Sequence, residues 1–273
     1  MYEPYWRLTR KPFDSGVDPA SYYPDEVHQA ALLKLRYALE SHCGGALLAG
    51  PAGSGKTLLV RLLAERLNET FRPLVHLVYP AMPTVELLAY IADEFAPAQR
   101  PSSTNLDESV RRIQRALTDN AAQGRRAVLV IDEAHLVDSP RTFEALRLLL
   151  NFEVKGQSAL TLLLVGQPAV LPMIDRLPQL DERLGVKCLL RPLSIEETMG
   201  YVQHRLAWAG AERTIFLAEA LEAVHRQSQG LPRRINRLCD LALLVGFAEE
   251  RQAIDETQID ALAGELMTVA PEE

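Results

Sequence analysis

The chain is poor in cysteine, with three in 273 residues. Cys43, Cys188 and Cys239 lie far apart and form no C-x-x-C pair, which argues against a disulfide framework and against a zinc site. A reducing compartment, the cytoplasm, is expected. Nowhere do apolar residues run on for the roughly 18 positions a spanning helix needs. The opening stretch from Met1 to Arg7 carries an acid and no apolar run, so it does not read as a secretory signal. Any service to a membrane machine is expected to be as a soluble part, peripheral to the inner membrane through a partner. An excess of positive charge is missing as well. The formal net charge is -7 and the pI about 5.5, so the field of the whole molecule repels phosphate backbones and gives no support to strong nonspecific binding of nucleic acid. The basic pairs Arg111-Arg112, Arg125-Arg126 and Arg233-Arg234 read as solvated helix faces or loop edges. There is no internal repeat and no low-complexity tract.

What is present is the balance of an ordinary globular protein, 48% hydrophobic and 24% charged. The length suits a main domain with a smaller one appended. After an irregular lead-in of about 30 residues, rich in Pro, Tyr and Asp, a helix is expected from Val27 to Ser41. Strands are expected at Gly45–Ala49, Pro73–Tyr79, Ala127–Ile131, Ala159–Val165 and Val186–Leu190, and the fully apolar ones fit a parallel sheet buried on both faces. Helical spacing marks Thr57–Leu67, Thr84–Phe95, Leu106–Gln123 and Pro140–Phe152, with a loop over Ala96–Asn105. From Ser194 onward only helices are expected, the first opened by the capping box Ser194-Ile-Glu-Glu197, with others at 216–228, 232–249 and 256–267.

Two motifs carry chemistry. Gly50, Pro51, Ala52, Gly53, Ser54, Gly55, Lys56 and Thr57 spell G-x-x-x-x-G-K-[ST] between a strand and a helix. Glycines let backbone N–H groups wrap phosphates at the helix N-terminus, where Leu58 follows. Lys56 reaches the β/γ oxygens and the Thr57 hydroxyl serves Mg²⁺. Asp132 and Glu133 close the Ala127–Ile131 strand, and ligands of parallel sheets sit beyond the carboxyl ends of strands. Asp132 is expected to hold Mg²⁺ through water and Glu133 to polarise the attacking water. Helix capping is the bland alternative for the acid pair.

The phosphate loop, Ile131-Asp-Glu-Ala-His135, Leu164-Val-Gly-Gln-Pro168 and Gly230-Leu-Pro-Arg-Arg-Ile-Asn-Arg-Leu-Cys-Asp240 together resemble the AAA+ ATPases of the general secretion pathway protein A type. Tyr5-Trp-Arg-Leu-Thr-Arg-Lys-Pro-Phe13 is similar to the start of that family's ATPase module, and the resemblance spans about residues 5 to 265. It implies an α/β P-loop core with a five-stranded parallel sheet over residues 1–193 and an all-helical lid over 194–273. It also implies ATP or ADP bound between core, lid and a neighbouring subunit of a homo-oligomer. Gln167 falls at the family's first sensor, with a plain strand-end turn as the alternative. Arg233 falls at its second sensor, with a surface arginine as the alternative, although a helix N-terminus is a poor place for a cation on dipole grounds. Arg183 is the implied arginine finger acting on a neighbour's ATP, and Arg176 is its rival. Either could instead pair with Asp175, Asp181 or Glu182. His135 has no second ligand at metal spacing and is expected to contact the next helix.

Two roles follow from the resemblance. One is an ATPase that assembles or remodels secretion or pilus components. The family's better-known members add a membrane span and a peptidoglycan-binding region, and neither is read here. The other is an ATP-dependent switch on DNA, of the kind that regulates transposition. Against the second stand the acidic balance and the absence, after the lid, of a sequence for a separate winged-helix reader.

Overall fold

The computed structural model describes residues 1–14, 16, 18–97, 105–137 and 139–268. In chain order its elements are α1 (Glu26–Glu40), β1 (Gly45–Ala49), α2 (Lys56–Arg66), β2 (Leu74–Leu77), α3 (Thr84–Phe95), α4 (Leu106–Ala122), β3 (Ala127–Ile131), α5 (Pro140–Leu149), β4 (Glu153–Val154), β5 (Gln157–Ser158), β6 (Leu160–Gly166), α6 (Leu171–Asp175), α7 (Pro178–Asp181) and β7 (Leu184–Leu189). The helices α8 (Ile195–Trp208), α9 (Ala218–Ser228), α10 (Pro232–Ala248) and α11 (Glu256–Thr268) follow. Most of the loop expected over Ala96–Asn105 lies outside the described residues.

The expected five-stranded parallel sheet is there, in the order β2-β3-β6-β1-β7. The three central strands are apolar along their whole length because both faces are covered, and every residue of β1, β3 and β6 is buried. β7 stands at an edge, so only alternate residues are buried, and it begins two residues earlier than its apolar pattern suggests. Residues 26–52 and 59–190 form one compact unit around this sheet.

Two local expectations are corrected. Helix α5 stops at Leu149 rather than Phe152, because the chain turns into the β4–β5 hairpin. Lys155 and Gly156 at its tip both have positive φ, 54° and 75°, as a two-residue hairpin turn demands. Strands of two residues leave no alternation to read. Of the basic pairs, Arg111, Arg125, Arg233 and Arg234 are exposed as expected, but Arg112 and Arg126 are not. Arg112 is 2% exposed, pairs with Asp93 at 2.8 Å and donates to the last carbonyls of α3 at Ala92 and Ala96. Arg126 is 5% exposed and donates to the carbonyls of Cys43 and Leu160, and burial pulls its pKa down. Both side chains close helix and strand ends from inside.

The second unit comprises Met1–Asp25, Gly53–Leu58 and Arg191–Glu273. The lead-in, grouped with residues 1–193 from sequence, therefore packs with the C-terminal helices instead. Its apolar residues are the reason: Tyr2, Trp6, Leu8 and Phe13 are buried in one cluster with residues of α8, α9, α10 and α11. Trp6 donates its indole N–H to the Leu243 carbonyl at 2.9 Å, and Arg205 donates to the Pro12 carbonyl at 2.6 Å. The Ser194 capping box is formed as expected, and Arg191 grips Glu197 by two bonds of 2.6 and 2.9 Å. That grip holds the Glu197 carboxyl below the usual carboxylate range, so its contribution is present at neutral pH and lost as the pH falls through that range.

Trp6→Ala should therefore destabilise the C-terminal unit by about 3–5 kcal/mol, read as a drop in its thermal or denaturant midpoint. An unchanged midpoint would refute the lead-in's place in that core.

Candidate active site

The phosphate loop is held at its entrance by the sheet. Gly50 donates its N–H to the Gly166 carbonyl at 3.1 Å, and the Ala49 carbonyl accepts from Leu190 at 2.7 Å. The loop thus leaves β1 tied to the ends of β6 and β7. Gly53 and Gly55 then take φ of 78° and 93°, a backbone that side chains with a Cβ resist. Lys56 and Thr57 open α2, where the first N–H groups have no partner within the helix and the helix dipole favours anions. Ser54 and Lys56 are both buried, an unusual cost for a lysine and one that a bound polyanion offsets.

Asp132 and Glu133 lie beyond β3, on the same edge of the sheet and one strand away from β1. Two ladder spacings, about 10 Å, separate these strand ends. The Asp132 N–H continues the ladder to the Leu77 carbonyl at 2.8 Å. Its carboxylate is 5% exposed: Oδ1 accepts the Glu133 N–H at 2.9 Å and Oδ2 lies 3.2 Å from His76 Nε2. Glu133 has φ 51° and ψ 38°, left-handed for a residue that is not glycine, a strain of about 1–3 kcal/mol. Its Oε2 is buried and accepts no hydrogen bond among the described residues.

Two histidines join this constellation. His76 stands in β2, a polar residue within an apolar strand, and that position was the sole signal in the sequence. His135 contacts the end of β6 rather than only a following helix: its Nδ1 accepts the Gln167 backbone N–H at 3.3 Å and lies 3.5 Å from Glu133 Oε2. No group of three or more metal-binding His, Cys, Asp or Glu side chains occurs among the described residues. Gln167 thus meets the acid-pair turn through its backbone, at the start of the turn Pro168–Val170.

The arginines separate. Arg233 is brought to the phosphate loop: its N–H donates to the Gly53 carbonyl at 3.2 Å, and a Cβ added to Gly53 would lie 2.7 Å from the Arg233 Cβ. Arg183 is at the opposite edge of the sheet from Gly50 and Asp132. Its carbonyl accepts from Gly45 at the start of β1, and its guanidinium donates to Asn151 at 3.2 Å. Arg176 is exposed at the end of α6. Asp181, offered from sequence as a partner for either arginine, pairs with Lys187.

A model of the AAA domain family matches residues 39–174. The chain is also 36% identical, over its whole length, to the general secretion pathway protein A of Aeromonas hydrophila. Residues 39–174 are an AAA domain. The chain spans about half the length of that curated relative. Among solved structures, Cdc6p from Pyrobaculum aerophilum is similar with a TM-score of 0.74 at 18% identity, over 95% of this chain and 74% of that one. The Aeropyrum pernix ORC2 protein in its ADPNP-ADP complexes gives 0.70 at 18%, over 96% and 73%, and the Thermotoga maritima RuvB branch migration motor 0.60 at 20%, over 89% and 70%. These likenesses show the AAA+ fold. Among the described residues no helix is long and apolar enough to cross a membrane.

A side chain at Gly53 would meet both a left-handed backbone and the Arg233 Cβ. Gly53→Ala should strain the left-handed backbone and push on Arg233, lowering stability by more than about 1 kcal/mol. Thermal unfolding checks this, and a midpoint equal to that of the parent protein would show that the loop adopts another conformation.

Proposed function

We propose that this chain binds ATP with Mg²⁺ and hydrolyses it at the site formed by the phosphate loop and the acid pair. The observation that carries the reading is the placement of Gly50 and Asp132–Glu133 at the carboxyl ends of two parallel strands, β1 and β3, that flank β6, with Gly50 tied to Gly166 at the end of β6. In this reading the backbone of Gly50–Leu58 and the Lys56 ammonium hold the phosphates, and Arg233 contributes from the helical lid. The donor set suits Mg²⁺, a hard ion that takes few protein oxygens and keeps its waters: the Thr57 hydroxyl directly and the Asp132 carboxylate through water. Mg²⁺ would neutralise charge on the β/γ-phosphates when bound. Glu133, whose Oε2 accepts no hydrogen bond among the described residues, orients and polarises the attacking water.

Arg183 is at the opposite edge of the sheet from Gly50 and Asp132, so its role in this reading is in trans: a homo-oligomer in which this arginine, or Arg176, serves a neighbour's nucleotide. A trans arginine is worth about three to five powers of ten in rate. The name of the general secretion pathway protein A supports work on a secretion system; in this reading the chain assembles or remodels secretion or pilus-type components from the cytoplasm, peripheral to the inner membrane through a partner. DNA is the less favoured partner: the charge is -7, and Arg112 and Arg126 are used inside the fold.

Lys56→Ala should weaken ATP binding, measured by titration with a fluorescent analogue. Glu133→Gln should retain ATP while losing on the order of a hundredfold in turnover. Turnover per subunit that climbs with protein concentration, ignores added DNA and collapses in Arg183→Ala would support the assembling ATPase. If turnover is negligible until DNA is added, and is lost steeply with salt, the DNA switch replaces it.

A further inference from the structure

A surface of the C-terminal unit joins unpaired positive charge to an apolar cavity. The lead-in turn from Arg7 to Lys11 is fastened to the end of α8, where the Thr9 N–H and hydroxyl both donate to the Ala209 carbonyl, at 2.8 and 3.0 Å. Four exposed cations gather at this junction: Arg7, Arg10 and Lys11 from the lead-in and Arg213 from the loop after α8. The chain has 36 acids against 29 lysines and arginines, yet none of these four is paired with a carboxylate among the described residues. Glu3, the acid of the same turn, is taken by the amino group of Met1. The guanidinium of Arg10 lies over the Trp208 ring at 4.8 Å and that of Arg213 over the Trp6 ring at 5.3 Å, which holds both in place before any partner arrives. Beside Arg213 the same loop opens a cavity of about 330 Å³. Leu206, Ile215, Phe216 and Leu221 are buried and form its floor, and Glu212 and Arg213 stand on its rim.

We propose that this face docks an acidic segment of a partner protein. A large apolar side chain of the segment enters the cavity, and the carboxylates beside it meet Arg7, Arg10, Lys11 and Arg213. The partner's charge follows from the cations that the chain's own acids leave unpaired, and planar guanidiniums match carboxylates with two parallel hydrogen bonds. Its apolar anchor follows from the cavity, whose size is near the lower bound of about 300 Å³ for ligand pockets and suits one or two side chains. Concavity separates a protein segment from a bilayer, because a flat anionic surface meets the cations and leaves the cavity unfilled. The proposal goes beyond ATP hydrolysis and does not depend on it.

The test titrates the full chain, by fluorescence anisotropy, with a labelled peptide in which a phenylalanine and a leucine stand between pairs of glutamates. One control peptide replaces the apolar pair with serines, and another replaces the glutamates with lysines. The expected result is saturable binding that weakens as salt is added, falls about tenfold for the serine peptide and is absent for the lysine peptide. Arg10→Glu with Arg213→Glu should lower affinity by about tenfold or more. Arg7→Glu with Lys11→Glu should act in the same direction, and it serves in place of the first pair if loss of the ring contacts lowers the thermal midpoint to the assay temperature. Ala207→Trp, at an exposed position of α8 on the cavity, should bring the acidic peptide down to the level of the serine control. ATP turnover should be unchanged in all three variants. Absence of acidic-peptide binding, indifference to the charge reversals, or equal binding of the serine control would each overturn the proposal. So would tighter capture of vesicles of equal parts phosphatidylglycerol and phosphatidylcholine, or of a DNA duplex, lost in the same charge variants, since the face would then serve a bilayer or a phosphate backbone. A parent protein that binds the acidic peptide as expected but hydrolyses no ATP would sink the ATPase reading and leave this one standing.

Discussion

The bond from the Gly50 N–H to the Gly166 carbonyl is the constraint on which the rest of the site depends. It continues the parallel ladder of β1 and β6 past the point where β1 ends, so the phosphate loop starts in fixed register with the strand that carries Gln167. The ladder of β6 and β3 then sets the acid pair in the same frame. Parallel pairing matters because it brings three carboxyl ends to one edge, and an antiparallel strand would have sent one of these groups to the far side. All three strands are buried on both faces, which makes the frame stiff as well as registered.

That stiffness is what allows unfavourable local states to persist. Glu133 is left-handed without being glycine, Lys56 is buried, and the Asp132 carboxylate is almost wholly removed from water beside His76. Each state costs free energy on its own, and each sits where phosphate, metal or water chemistry would use it. The two costs that fall together in the acid pair at the end of β3 are stronger support for a site than that motif alone. Elsewhere the chain follows ordinary rules: helices are capped, and Arg112 and Arg126 satisfy exposed chain ends from within.

The burial of those two arginines alters how the charge balance should be read. A sequence counts Arg112 and Arg126 as surface cations, whereas the fold places them against backbone carbonyls. The surface available for a phosphate backbone is therefore less basic than the composition suggests, in a chain already at -7. The lead-in follows similar logic in the second unit. Irregular in sequence, it is ordered because Trp6 and Phe13 find a helical core to enter, a partner choice that no local pattern contains.

The sequence by itself determined the parallel sheet, the phosphate loop and the acid pair, because each is written in a few adjacent residues: apolar runs long enough for a strand, glycines at the turn, a lysine and threonine at a helix start. Element ends were legible to within three residues, apart from the hairpin after Leu149 and the helices α6 and α7, which are too short to show a period. Only the tertiary structure decided that His76 stands against Asp132, that His135 bridges Glu133 and Gln167, and that Arg183 is on the far edge from the phosphate loop. These are contacts between residues 2 to 138 positions apart, and a side chain's partner across a sheet depends on register and topology that no local pattern can state.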